Sequence, residues 1–331
     1  MVTGLCVFVI GLLAGRIASL WSVALVEPFT PTGVAVCRKC GHPRSAIQRF
    51  LRSFGRCQQC QAKWPLWPSV APWLVAILFS VFAWALVQGQ VQSVTEVRPS
   101  RDLLFERLPF HLCLLFFLTT ATLTDLLDYV IPDPITLSGT FIALIAATVS
   151  GELQMIHLWV DWSGIDVAIN GQYIPEWIKH HQHLHGLVWS LTGVLTGASV
   201  IWAGRLAARG ILGFHAIGFG DVTLMGMVGA FIGWQPVLCA IALSPFVGII
   251  LGAAVWMCTG RTYVAFGPYL CGGTVLVLFL WHRLWETERL RLLFSHLPTI
   301  AGILGAAFGV YCLLLLGLRL FLSTPTHKLK R

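Results

Sequence analysis

Long apolar segments separated by shorter polar ones dominate the sequence. They lack the every-second-residue alternation of a barrel strand, and a helix needs about 20 apolar residues to cross a hydrocarbon layer. We therefore expect an all-α fold, a polytopic transmembrane helical bundle of eight or nine helices, since two segments are short. The pattern predicts nine spans: 2–26, 70–91, 109–126, 134–150, 184–204, 222–237, 238–259, 264–282 and 299–322.

The composition also indicates an integral membrane protein. Of the 331 residues, 56% are hydrophobic and 11% are charged, so a soluble domain would leave much apolar surface in water. The formal net charge is +8, which fits a lipid bilayer whose inner leaflet is anionic. Because the basic residues flank the predicted spans and no recognition module appears, we do not expect nucleic acid as a partner.

Basic residues predict the orientation. The connection at 27–69 is rich in Lys and Arg, as cytoplasmic loops are, so we expect it inside the cell and the N-terminus outside. The same count places Arg283, Arg289 and Arg291 outside, which opposes the rule. Their segment also carries large apolar residues, so an amphipathic helix along the interface would reconcile the two.

Two cysteine pairs stand in the basic loop. Cys37 and Cys40, and likewise Cys57 and Cys60, are separated by two residues, the spacing that lets both thiolates of a pair bind one ion. We expect all four to hold a structural Zn²⁺ ion that keeps the loop folded. Disulfides or a redox dithiol are the alternatives, but a cytoplasmic loop is kept reduced and a redox site needs one pair.

Two aspartates beside apolar segments are the main candidates for chemistry. Asp125 lies in the string TDLLDYVIP and Asp221 ends the string GFGD. Carboxylates near lipid are costly, and the predicted topology places both on the cytoplasmic side. If the two share one proton, the ionised member can take a proton from water while its neutral partner polarises a peptide carbonyl. Gly218 and Gly220 would let a substrate backbone approach.

Structural roles would also explain each acidic residue alone. Asp221 suits an N-cap of the helix that follows it. Asp125, Asp128 and Asp133 suit a solvated turn around the string IPDP. The catalytic interpretation therefore depends on the two aspartates coming together.

These motifs, in this order, resemble those of the bacterial prepilin peptidases, or type IV leader peptidases, which belong with the GxGD intramembrane aspartyl proteases. In that family the first catalytic Asp lies seven residues before the Pro of an Ile-Pro-Asp turn, as Asp125 does, and the second is the Asp of GxGD, here Asp221. The cysteine pairs and the strings GMVGAFIGW at 226–234 and AFGPYL at 265–270 also match. The likeness extends to about residue 275.

The resemblance implies an aspartic endopeptidase that removes the short basic leader of pilin-like or pseudopilin precursors at a Gly–Phe junction, on the cytoplasmic side of the bacterial inner membrane. Many members also N-methylate the new N-terminus with S-adenosylmethionine, a second candidate cofactor. A basic leader would be attracted to Asp128 and Asp133. The sequence departs from the family at Thr223, where Lys is usual, and lacks the family's Glu after the cysteine pairs.

The expected organisation has four regions. Residues 1–26 form the first transmembrane helix and 27–69 the cytoplasmic zinc-binding loop. Residues 70–282 form the membrane peptidase bundle with an external insertion at about 151–183, and 283–331 hold an interfacial segment, an extra transmembrane helix and a basic tail.

Two alternatives remain open at this point. The aspartates could serve a proton-coupled transporter or an assembly scaffold, with the zinc loop as a platform for a partner. The histidines that end the external insertion, at 180, 181, 183 and 185, could bind a metal. We favour a polar loop at the membrane interface with Trp anchors for that insertion.

Overall fold

The computed structural model confirms the predicted helical bundle. It describes residues 2–26, 40, 59–61, 67–162, 173–214, 216–260 and 265–323, and within these ranges the chain has no strand. The described helices are α1 Val2–Val26, α2 Trp67–Val87, α3 Arg101–Asp128, α4 Asp133–Ser150, α5 Glu176–His180, α6 Gln182–Leu212, α7 Phe219–Ile232, α8 Trp234–Thr259, α9 Gly267–Trp285, α10 Glu288–Ser295 and α11 Leu297–Ser323.

Seven helices of the described part are long and apolar enough to cross a membrane: α1, α2, α3, α4, α6, α8 and α11. The other two predicted spans are also helical, as α7 and α9. With 14 residues, α7 is about 21 Å long, short of a hydrocarbon core of about 30 Å. Its residues from Val222 to Ile232 are nearly all buried, so it is surrounded by protein and its length need not match the bilayer.

The break between α7 and α8 lies at Gly233, whereas the sequence predicted it at 237. Gly233 has a φ of 82°, and a Cβ there would overlap the ring of Trp189 on α6. The next contact between α6 and α7 is equally close, because a Cβ on Gly193 or on Gly229 would overlap the other's backbone carbonyl. Small residues of this kind let two membrane helices approach closely, which fixes α7 in the centre of the bundle.

Two ends of the bundle differ in construction. At one end of the bundle α3 ends, and α4, α7 and α9 begin. We call this end the aspartate face and define it by Asp125, Ile131, Gly218 and Gly267. At the other end lies a layer that we call the opposite cap, formed by residues 88–100, 151–162 and 286–296.

Buried acids and tryptophans hold the opposite cap together. The side chain of Glu96 is fully buried and accepts hydrogen bonds from the indole N–H groups of Trp162, at 2.7 Å, and Trp285, at 2.8 Å. Arg291 pairs with Glu96 at 3.8 Å and with Glu286. Pairing with these acids therefore explains why Arg291 lies at this end of the bundle, although Lys and Arg are usually concentrated in cytoplasmic loops.

The first part of the predicted external insertion differs from an interfacial loop. Within 151–162, Leu153, Met155, Ile156 and Val160 are buried. The fully buried Arg107 of α3 donates to the carbonyl of Glu152 at 3.2 Å and to that of Gln154. This segment is part of the protein core, and burial lowers the pKa of its His157 to about 4.

Candidate active site

Asp125 lies in the last turn of α3. The helix ends because Tyr129 adopts a left-handed conformation, with φ 55°, and because Pro132 follows. The side chain of Asp125 is buried, with 6% exposure, and its Oδ2 accepts a hydrogen bond from the N–H of Gly267 at 2.9 Å. Gly267 begins α9, so the carboxyl of Asp125 links the end of one helix to the start of another.

Asp221 is the third residue of α7, whereas the structural interpretation of the sequence made it the N-cap. Gly218 is the N-cap, and its N–H donates to Oδ2 of Asp221 at 3.0 Å, which satisfies one free donor of the helix start. Asp221 is 8% exposed. The carboxyl therefore has a capping contact, as the structural interpretation required, and this contact uses only one of its two oxygens.

The turn at Ile131 brings the two aspartates together. A Cβ on Gly220 would meet the carbonyl oxygen of Ile131 at 2.7 Å, and one on Gly267 would meet the Ile131 side chain at 3.0 Å and Oδ2 of Asp125 at 2.6 Å. Glycine at both positions therefore allows this close packing. The carboxyls of Asp125 and Asp221 interact electrostatically with each other, and both interact with the thiol of Cys271.

This arrangement has the parts of an acid–base pair. In each aspartate Oδ2 is held by a backbone N–H, which leaves Oδ1 to carry a proton or to bind water. Each N–H also belongs to the start of a helix, α7 or α9, where the partial positive charge favours one negative charge close by. Two neighbouring carboxyls cannot both ionise easily, so the pair is suited to holding one proton between them.

Arg205 of α6 is a site neighbour that the sequence interpretation did not identify. Its Nη1 donates to the carbonyl of Ile217 at 3.0 Å, its guanidinium lies over the ring of Phe219, and its charge acts on Asp221. Thr223, which stands where the family usually has Lys, donates to the carbonyl of Gly220 at 3.1 Å. Arg205 therefore supplies a positive charge that Thr223 cannot.

The other predicted substrate contacts lie close by in the chain. Asp128 and Asp133 are exposed, on either side of the turn at Ile131. Both are therefore open to an approaching peptide at the aspartate face.

The predicted metal ligands are only partly within the described residues. Cys37 and Cys57 lie outside them, whereas Cys40 is exposed and Cys60 is half-buried. In the described ranges no three His, Cys, Asp or Glu side chains are grouped to hold a metal ion.

The histidines at the end of the external insertion have other contacts. His185 is buried, its Nδ1 lies 3.2 Å from Nε2 of Gln154, and its Nε2 accepts from the N–H of Leu158 at 3.0 Å. His180 lies 3.7 Å from Glu176 at the surface. Both ring nitrogens of His185 therefore already have protein partners.

Comparison with known proteins points to one family. Residues 112–253, which include both aspartates, match the model described as the type IV leader peptidase family. The chain is similar to the prepilin leader peptidase/N-methyltransferase of Aeromonas salmonicida, at 25% identity over 242 residues, 71% of this chain and 67% of that protein.

Two further relatives carry the same name. The protein of Pseudomonas putida is 25% identical over 254 residues, 73% of this chain and 71% of its own. That of Pseudomonas aeruginosa is 35% identical over 105 residues, 28% of this chain and 35% of its own. No solved structure gave a significant match.

Proposed function

Because the chain belongs to the type IV leader peptidase family, we propose that it cleaves the leader from pilin-like or pseudopilin precursors with Asp125 and Asp221 as its catalytic pair. The observation that carries this proposal is the meeting of the two residues. They stand 96 positions apart in the sequence, yet both are buried at one end of the bundle and interact electrostatically.

The proposed chemistry is hydrolysis by general acid and base. The ionised carboxyl takes a proton from water, and the water oxygen attacks the carbonyl carbon of the residue before the cut. The proton of the neutral carboxyl then passes to the leaving nitrogen as the carbon–nitrogen bond breaks. The pair ends with one proton, as it began, so it is ready for a further cycle.

The proposed location is a bacterial inner membrane, with the aspartate face toward the cytoplasm. This orientation follows from the basic loop at 27–69 and would bring a basic leader to the exposed Asp128 and Asp133. The attraction between a basic leader and these two acids would help to place the junction over the catalytic pair.

The proposed structural metal is Zn²⁺ held by Cys37, Cys40, Cys57 and Cys60. The donor set fits this ion, because two closely spaced thiol pairs complete a closed tetrahedral site. Such a site would fold the loop and would take no part in peptide cleavage.

N-methylation of the product is a second candidate activity. The relatives are named for both activities, which supports S-adenosylmethionine as a cofactor, although no residue of this chain is assigned to it. The alternative of a proton-coupled transporter or assembly scaffold is not favoured by the family match.

Processing of a co-expressed precursor tests the proposal. Asp125→Asn and Asp221→Asn keep the side-chain shape but cannot share a proton, so we expect uncut precursor to accumulate. Glu176→Gln is a control, because Glu176 is exposed on α5 and pairs with Lys179 away from the aspartate face, so this variant should leave most precursor cut. Mass spectrometry of the precursor reports cleavage and methylation together, and normal processing by either catalytic variant would refute the assignment.

A further inference from the structure

An apolar groove opens beside the catalytic pair. It lies between α2, α3, α8 and α9 and has a volume of about 290 Å³. Leu74 and Leu251 form its lips, with 53% and 39% exposure, while Val75 and Leu118 at its floor are buried. Since both lips lie on helices long and apolar enough to span the bilayer, α2 and α8, the groove opens sideways toward lipid.

The groove is continuous with the aspartates. Thr122 and Leu126, which line it, lie three residues before and one residue after Asp125 on α3. Cys271 forms part of its wall, and its thiol donates to the carbonyl of Leu118 at 3.6 Å and interacts electrostatically with both carboxyls. The wall that encloses the catalytic pair is thus also the inner end of the groove.

Close packing covers the catalytic pair on the side of Ile131. The backbone of Gly220 lies against Ile131, and that of Gly267 lies against Asp125 and Ile131. The groove gives a polypeptide in the bilayer a route along α3 to the residues that flank Asp125. The lining is apolar apart from Thr119, Thr122 and the thiol of Cys271, so an apolar segment fits it.

On the basis of the proposed function, we propose that this groove binds the apolar helix of a membrane-anchored precursor, in the turns directly after the cut bond. The basic leader then lies at the aspartate face beside Asp128 and Asp133, and the junction lies at Asp125 and Asp221. Van der Waals contact between helices drives such association in a bilayer.

Photocrosslinking tests which molecule occupies the groove. A benzophenone amino acid replaces Leu251 in the full chain carrying Asp221→Asn, which would hold uncut precursor in native membranes. The matched control carries it at Ile145 of α4, which is 64% exposed and lies outside the groove.

We expect the precursor to crosslink at position 251, through residues directly after the junction, and not at 145. Equal crosslinking at both positions, or crosslinking at 251 to lipid alone, would overturn the proposal.

Filling the groove gives an independent kinetic test. Thr119 is half-buried in the groove lining and its hydroxyl donates to the carbonyl of Leu115 four residues earlier. Thr148 of α4 is also half-buried, makes the same type of contact with Leu144 and lies outside the groove, so it provides a matched control.

We expect Thr119→Trp to raise KM for the anchored precursor about fivefold or more with kcat within about twofold of wild type, and Thr148→Trp to change neither. A fall in kcat at unchanged KM, or no change in Thr119→Trp, would contradict docking in the groove. If instead the asparagine variants of the catalytic pair still process precursor, the proposed function itself fails.

Discussion

Both ends of the bundle bury acidic side chains, but they surround them differently. At the opposite cap, Glu96 receives two indole N–H groups and lies beside Arg291, so its charge is compensated. At the aspartate face, Asp125 and Asp221 lie near each other and receive backbone N–H groups. A compensated buried acid stabilises a fold, whereas two neighbouring carboxyls retain a proton that can take part in a reaction.

The largest expected effect separates activity from stability at the aspartate face. Asp221→Asn should lower the rate of cleavage by about 100-fold or more, because a positioned acid or base contributes about 10²–10⁴. The free energy of unfolding should stay unchanged or rise, since the amide oxygen of Asn can still accept the hydrogen bond from Gly218 and a buried ionisable group is removed. Cleavage rates and denaturant unfolding in detergent measure the two quantities, and a large loss of stability would mean that Asp221 is mainly structural.

The converse is expected at the opposite cap. Glu96→Gln should lower the free energy of unfolding by about 2–3 kcal/mol, because it weakens two charge-assisted hydrogen bonds and leaves Arg291 with less compensation. The cleavage rate of the folded fraction should remain that of the wild type. Reduced cleavage without reduced stability would show that the two ends are not separate in role.

A third prediction concerns the contact that positions Asp125. Gly267→Ala would place a Cβ 2.6 Å from Oδ2 of Asp125, so the carboxyl must move and cleavage should fall about tenfold. Gly305→Ala on α11 is the control, because a Cβ there meets nothing within 4 Å. Equal cleavage by the two variants would show that the hydrogen bond from Gly267 does not set the geometry of the pair.

The smallest expected effect is a shift in the pH profile. The charge of Arg205 favours the ionised form of Asp221, so Arg205→Gln should move the acidic limb of the cleavage profile to higher pH by less than about one unit. Arg209→Gln, one helical turn further on α6, is the control. A shift of the limb to lower pH would contradict a role for Arg205 in stabilising the negative charge.

Periodicity and motif order were sufficient to predict most of the helices and the position of Asp125 and Asp221 at the same end of the bundle. The start of α8 could not be placed, because the break at Gly233 depends on the ring of Trp189 in another helix and no polar residue marks it. The buried segment at 151–162 was missed for a similar reason, since its partners Arg107 and Trp234 lie far away in the sequence.

Contacts through the backbone were the hardest to foresee. The string AFGPYL was recognised, yet nothing in it indicates that the N–H of Gly267 reaches Asp125. Arg205 could not be assigned to the site from the sequence, because its proximity to Asp221 depends on the turn between α6 and α7. The sequence therefore identified the two candidate carboxyls better than it identified the groups that hold them in place.

The central claim is that Asp125 and Asp221 act as one unit. The most direct test compares cleavage of a full-length precursor by Asp125→Asn, Asp221→Asn and the double variant in purified form. If the carboxyls share one proton, all three should have the same residual rate, because losing either member disables both. A double variant slower than each single variant by the product of their separate effects, or a single variant with the wild-type rate, would contradict it.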